Sequence, residues 1–362
     1  MVDPDYQVQR FRPHAAVPWS RGWHLLSGTH NRANGAGFIS PYEYERRGDR
    51  PRLAVIGDSY VEALQVEPGQ SFPARLQEML GSRGSIYAFG TSGSPLSNYL
   101  IYARMARERY APEALVFAVI ANDFDESMCS YRNSGLGMWC FREGENGGYD
   151  FVPLARSSTW WRELGRRSAT LRFIAFNLGL DPRVIFQQLL QPQKPDITPE
   201  YVANVPAQVS DRRMLAAKTA LRLFLDRLPA ESGLAPGSIL FVIDGLRRDI
   251  YTGREEQRDS FFGLIRHEFM DTARARGYEV IDLQRVFHDD YVRHGQRFEH
   301  PLDNHCGVIG HYVVAEAMRR SQTFRSLFGT NTRALPRPVS VACSGISANC
   351  SGNPNQAITG HP

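Results

Sequence analysis

The chain has 362 residues, 42% of them apolar and 22% charged, a balance that supplies a full hydrophobic core and excludes a disordered or fibrous protein. Its formal charge of +4 comes from scattered basic residues, nearly all arginine with only Lys194 and Lys218 as lysines, so no basic stripe with interleaved aromatics marks a nucleic-acid surface. No run of about 18 apolar residues reads as a membrane span, and residues 1–30 lack a charged end followed by an apolar stretch; the expectation is a cytoplasmic protein, with a periplasmic or secreted one as the alternative if the true N-terminus is missing.

Residues 1–50, rich in Pro, Gly, Arg and aromatics, read as an irregular arm packed on the main domain, with Trp19 and Trp23 as its anchors. Leu53-Ala54-Val55-Ile56 is a strand buried on both faces that runs into Gly57-Asp58-Ser59. Helical spacing follows from Val61 to Leu80, broken at Pro68-Gly69, so Ser59 sits in a strand-to-helix turn. Ser85–Phe89 is a second strand, and the glycine-rich turn from Gly90 to Pro95 opens a helix that ends before Pro112. Ala114–Ile120 is a third strand ending in Ala121-Asn122-Asp123. Residues 124–205 break this rhythm with aromatics, glycines and prolines and read as an insertion, a candidate cap over the site. A helix from Ser210 to Pro229, a strand at Ser238–Ile243, a helix through Phe262 and Phe269 closed by Gly277, a strand at Tyr278–Asp282 and a last helix from Gly307 complete the domain at about 330. The tail from Asn331 has too little apolar surface to fold alone. Five cysteines are close enough in sequence for Cys129 to pair with Cys140 and Cys343 with Cys350, leaving Cys306 over, but free thiols in a cytosolic protein are the readier expectation.

Five apolar strands alternating with helices predict an α/β fold, a three-layer α/β/α sandwich on a parallel sheet. In such sheets ligands bind beyond the carboxyl ends of the strands, and there the chain places chemistry. The first strand delivers Ser59, the second Gly93 and the third Asn122, and the loop before the last helix carries Asp303-Asn304-His305. That is a complete set for acyl transfer: Ser59 attacks, His305 takes its proton, Asp303 fixes the imidazole tautomer, and N–H donors hold the oxyanion. Asp58 reads as a structural acceptor in the turn. Asp244, Arg247 and Arg248 follow the fourth strand and are candidates for the rim, with a solvated loop as the readier explanation. No metal or cofactor is called for, because His305 and His311, six apart across a helix, face different ways.

These residues resemble the SGNH (GDSL-type) hydrolase superfamily. Gly57-Asp58-Ser59 is similar to its first motif, Gly93 within Thr91-Ser92-Gly93-Ser94 to its glycine, Asn122-Asp123 to its asparagine and Asp303-Asn304-His305 to its histidine motif. The resemblance covers roughly residues 50–125 and 236–320 and lies in the combination. It implies a flavodoxin-like fold, Ser–His–Asp ester chemistry, and an oxyanion hole built from the N–H groups of Ser59 and Gly93 and the side chain of Asn122. Where many members have a glycine two before the asparagine, this chain has Ile120. Its Asp and His are two apart, as in the Asp-x-His-aromatic-Asn form of relatives that work on polysaccharides, with Cys306 and Gly307 in the last two places. Asn31–Phe38 and the insertion also look like bacterial members found with envelope polysaccharide genes. The function implied is removal of small acyl groups from carbohydrate. The alternatives are an O-acyltransferase with the same triad and a catalytically silent carbohydrate-binding or assembly protein.

Overall fold

The computed structural model describes residues 1–21, 27–46, 48–132, 135–154, 201–202, 205–253 and 257–338. Five short runs of aliphatic and aromatic residues form its centre: β3 (Arg52–Gly57), β4 (Ser85–Gly90), β5 (Ala114–Val119), β8 (Ile239–Ile243) and β9 (Glu279–Asp282). They pair in parallel in the order β4-β3-β5-β8-β9. Numbered by their place in the chain this is 2-1-3-4-5, the flavodoxin-like doubly wound order, whose switch point falls between β3 and β5. Two antiparallel hairpins lie outside the sheet, β1 (Ala16–Arg21) with β2 (Ser27–Arg32) and β6 (Trp139–Glu143) with β7 (Tyr149–Pro153).

Because side chains alternate along a strand, each central strand feeds two cores. Ala54 and Ile56 of β3 point into one, shared with α3 (Leu96–Tyr110), α4 (Asp211–Ser232) and α6 (Phe261–Ala275). Leu53 and Val55 point into the other, shared with α2 (Phe72–Leu80), α7 (Leu283–His294), α8 (Val308–Arg319) and α9 (Gln322–Phe328). The result is the three-layer sandwich expected from the strand pattern. The short helices α1 (Ser59–Glu62) and α5 (Arg247–Thr252) stand at the carboxyl ends of β3 and β8.

Several boundaries differ from the sequence reading, each for a local reason. The helix after β3 lasts only four residues, because Ala63 turns left-handed (φ 53°) and caps it with an N–H bond to the Ser59 carbonyl. Pro229 does not stop α4, which runs one turn further to Gly233 in the left-handed region. A proline removes one N–H from a helix, and here the last turn closes through Gly233 N donating to the Pro229 carbonyl (2.9 Å). The helix α7 was not foreseen; its buried residues, Leu283 and Phe287, stand four apart among polar neighbours.

The arm is more ordered than expected, since it contains the β1–β2 hairpin. Trp19 packs edge-on against His300, while Trp23 lies outside the described residues. Beyond Asn331 the chain is held through 338 by buried Leu335 and by Arg337, which forks onto Asp290 at 2.8 and 2.7 Å. Of the insertion, residues 155–200 lie outside the described residues, as does the pair Cys343 and Cys350.

Candidate active site

The turn after β3 is built around Asp58. Its buried carboxylate accepts from Tyr60 N (2.9 Å), and its carbonyl accepts from Val61 N and Glu62 N, so it caps α1 as expected for a structural acid. Ser59 is thereby the first residue of α1, where backbone N–H groups have no carbonyl of their own helix to reach. Its Oγ lies 3.1 Å from Asp58 Oδ2 and 2.8 Å from His305 Nε2.

His305 sits in the loop before α8. Its Nδ1 hydrogen-bonds Asp303 Oδ1, the same oxygen that accepts from His305 N at 2.9 Å. The two-residue spacing of Asp303 and His305 therefore works as an Asx turn, fixing ring and backbone with one carboxylate. Burial alone would raise the Asp303 carboxyl, but the bonds and charge of His305, with Arg21 behind them, hold it at about 2. An ionised carboxylate only accepts, so the imidazole proton belongs on Nδ1 and Nε2 is left as the acceptor facing Ser59. Arg21 Nε, from β1, stands 3.9 Å from Asp303 Oδ2. The same hairpin reaches the end of α1, where Thr29 Oγ1 and Asn31 Nδ2 both donate to the Leu64 carbonyl at 2.5 and 2.8 Å. One arm thus touches both halves of the Ser59–His305 pair's surroundings.

The sheet order puts the loops after β4 and β5 on either side of Ser59. Gly93, in the first, has φ +75°, which an L side chain rarely adopts, and its carbonyl accepts from Arg132 Nη1. Glu62 binds the preceding residue: its Oε2 accepts from Ser92 N at 3.0 Å and from the Ser92 hydroxyl. Burial pushes the Glu62 carboxyl up to about 7 against those bonds. Gly90 permits this contact, since a Cβ there would lie 2.5 Å from Glu62 N. Asn122, on the other side, lies in a tight turn at Ala121–Asp123. Buried Asp123 below it accepts from Tyr99 Oη (2.9 Å) and Ile120 N (2.8 Å). Ser59, His305 and Asp303 are joined directly; Gly93 and Asn122 reach the same rim on flanking loops.

Asp244 and Arg247 correct the reading of a solvated loop, being 3% and 6% exposed. They belong to an ionic cluster with Tyr60, Glu299 and Cys306 beneath the His305 loop. Polar residues after a strand suggest solvent, and nothing in local sequence shows that three other segments cover them. Arg21 and Glu62 were missed for different reasons: the arm has no period to read, whereas Glu62, three residues after Ser59, faces the same way on a helical turn and was legible in principle. His311 is wholly buried in α8, accepting from Phe72 N at 3.3 Å and lying 3.4 Å from Gln65 Nε2.

No family model matches the chain, and no curated protein is significantly similar to it. Among solved structures it is similar to an acetyl xylan esterase at 12% identity, over 74% of this chain and 97% of that one, with a TM-score of 0.39. An acetylxylan esterase from Geobacillus stearothermophilus is similar at 13% identity over 76% and 95%, TM-score 0.37. The lipase/acylhydrolase from Enterococcus faecalis is similar at 11% over 79% and 99%, TM-score 0.38. At such identities and scores these likenesses carry no argument about what this chain does, which rests on its own side chains.

Proposed function

We propose that the protein is a serine esterase of the SGNH type that removes small acyl groups, acetyl above all, from carbohydrate. The observation that carries the reading is the 2.8 Å approach of His305 Nε2 to Ser59 Oγ, with Asp303 on the opposite ring nitrogen. A helix-capping serine needs no base at the far end of the chain, and a silent binding protein has no use for an oriented imidazole.

In the reaction so supported, Ser59 Oγ bonds to the ester carbonyl carbon as its proton passes to His305 Nε2. The carbonyl electron pair moves to oxygen, which the N–H groups of Ser59 and Gly93 and the amide of Asn122 stabilise. Collapse breaks the bond to the alkoxide, which leaves with the proton from His305. A water, deprotonated by the same Nε2, then attacks the acyl-serine; the acyl–Oγ bond breaks, the proton on Nε2 returns to Ser59 Oγ, and the acyl group leaves as its carboxylic acid. Asp303 stabilises the imidazolium in both halves.

The carbohydrate class rests on the likeness of the Asp303-Asn304-His305 spacing to polysaccharide-active relatives. The Cys129–Cys140 disulfide favours an oxidising compartment over the cytoplasm. No helix among the described residues is long and apolar enough to cross a membrane. The test is a fluorophosphonate probe with mass mapping, alongside turnover of p-nitrophenyl acetate: wild type is labelled at Ser59 and active, and Ser59→Ala is neither. A labelled or active Ser59→Ala overturns the assignment. Acetyl release from acetylated oligosaccharide into water, against its transfer to an added sugar, separates esterase from transferase.

A further inference from the structure

We propose that Arg247 is a positioning residue that sets the spacing between Ser59 and His305, an inference that rests on the assignment of those two residues as nucleophile and base. Its guanidinium is buried, and each of its nitrogens has a partner from a different part of the site. Nη2 donates to Tyr60 Oη and lies 3.3 Å from Asp244 Oδ2; Nη1 lies 3.8 Å from Cys306 Sγ; Nε lies 3.5 Å from Glu299 Oε1. Tyr60 is covalently next to Ser59, and Cys306 is next to His305. One rigid planar group thus spans from the nucleophile's neighbour to the base's neighbour.

The His305 loop is closed at the same place. Glu299 and Cys306 bridge each other across its base, His300 N donates to the His305 carbonyl (2.8 Å), and Gly307 N donates to the Phe298 carbonyl (2.7 Å). Glu299 is steadied in turn by Tyr251 Oη at 2.7 Å. Arg247 therefore grips both strands of the loop base, while its other arm holds the ring of Tyr60, whose centroid lies 5.3 Å from that of His305. The nucleophile and base come from opposite ends of the chain; besides their own hydrogen bond, Gln65 Nε2 donates to the Cys306 carbonyl (2.8 Å) and the β1–β2 hairpin reaches both surroundings, but neither contact fixes the neighbours of both residues through one rigid group. A fixed fork between their neighbours supplies the alignment that near-attack geometry demands, where a displacement of about 1 Å can cost on the order of 100-fold in rate.

Removing Arg247 leaves buried Asp244 and half-buried Glu299 without this cation, so Arg247→Met can fail through the fold alone. Tyr60→Phe avoids this: the ring and its packing stay, and only the hydroxyl that meets Arg247 is lost. At an unchanged melting temperature, Tyr60→Phe is expected to keep KM within about twofold while kcat and the rate of fluorophosphonate labelling at Ser59 fall roughly tenfold. Where the Arg247 variants fold, Arg247→Lys recovers part of the labelling rate that Arg247→Met loses. Labelling and kcat at wild-type rates in a folded Tyr60→Phe overturn the clamp, as does a rise in KM with kcat unchanged. Failure of wild type itself to be labelled overturns instead the assignment of Ser59, which keeps the two results apart.

Discussion

At the scale of single residues, Asp303 carries a burden that its sequence spacing hides. Both its bonds to His305 end on one oxygen, and Arg21 faces the other, so replacing the carboxylate changes the tautomer of the ring more than its position. Asp303→Asn presents an amide that can donate to Nδ1, which drives the imidazole proton to Nε2 and blocks it as a base. The expected outcome is a loss of kcat of roughly 10⁴ with KM little changed, measured on p-nitrophenyl acetate. A variant within tenfold of wild type shows that the tautomer is set elsewhere. The members of this group were legible because each stands directly after a strand or before a helix, where a serine, a glycine, an asparagine and an Asp–His pair coincide only for a reason. Arg21 was not, and Arg247 was placed no further than the strand-end loop, because an arginine's role depends on what folds over it, and most of their partners come from distant segments.

At the scale of elements, α8 contains a test of what burial does to a titratable group. Phe72 N donates to His311 Nδ1, which must stay unprotonated to accept, so the imidazolium loses that bond. Burial first, then the charges of Arg75, His305 and Arg247, hold its pKa down at about 3. A base with a lowered folded pKa gives stability that is present above its unfolded value and lost as the pH falls. Between about pH 6.5 and 4.5 the unfolded chain takes a proton that the folded one refuses. Glu62 works in the opposite direction over the same window, because its pKa is raised to about 7 and folding takes up a proton there. Comparison with His311→Asn, which keeps an acceptor for Phe72 N, isolates the histidine. In thermal denaturation at pH 7 wild type is the more stable, and its advantage shrinks by roughly 1 kcal/mol per pH unit as the solution is acidified. An advantage that stays constant from pH 6.5 to 4.5 shows that His311 titrates normally. The helix itself was expected from Gly307 onward; what sequence could not give was the face on which His311 lies, since α2 and the Gln65 segment close over it only in the folded chain.

At the scale of the whole molecule, the parts added to the doubly wound sheet are tied to one another and to the site. The Cys129–Cys140 disulfide joins the segment after β5 to β6, closing a loop that carries Arg132 back to the Gly93 carbonyl. That loop also receives the N-terminal arm, since Gln9 N donates to the Gly137 carbonyl (3.1 Å) and Trp139 Nε1 to the Tyr6 carbonyl (3.1 Å). Strand β6 is in turn fixed to α3, with Ser97 Oγ donating to the Trp139 carbonyl (2.7 Å) and Trp139 N to Asn98 Oδ1 (2.6 Å). The separation of 11 allowed the two cysteines to pair but left free thiols the readier expectation, and the structure joins them; the convergence of arm, loop and Gly93 was not readable, because it joins segments distant in the chain. A cross-link of this length restrains the unfolded chain by up to about 3 kcal/mol. The double variant Cys129→Ala/Cys140→Ala is therefore expected to unfold at a midpoint several degrees lower in a thermal scan. Because Arg132 loses its tether while Ser59 and His305 do not, kcat should fall severalfold, and the rate at which the fluorophosphonate labels Ser59 should fall with it. An unchanged midpoint shows that Phe141 in the core and the bonds of Trp139 to α3 already hold the loop, and an unchanged kcat shows that Arg132 keeps its place at Gly93 without the cross-link.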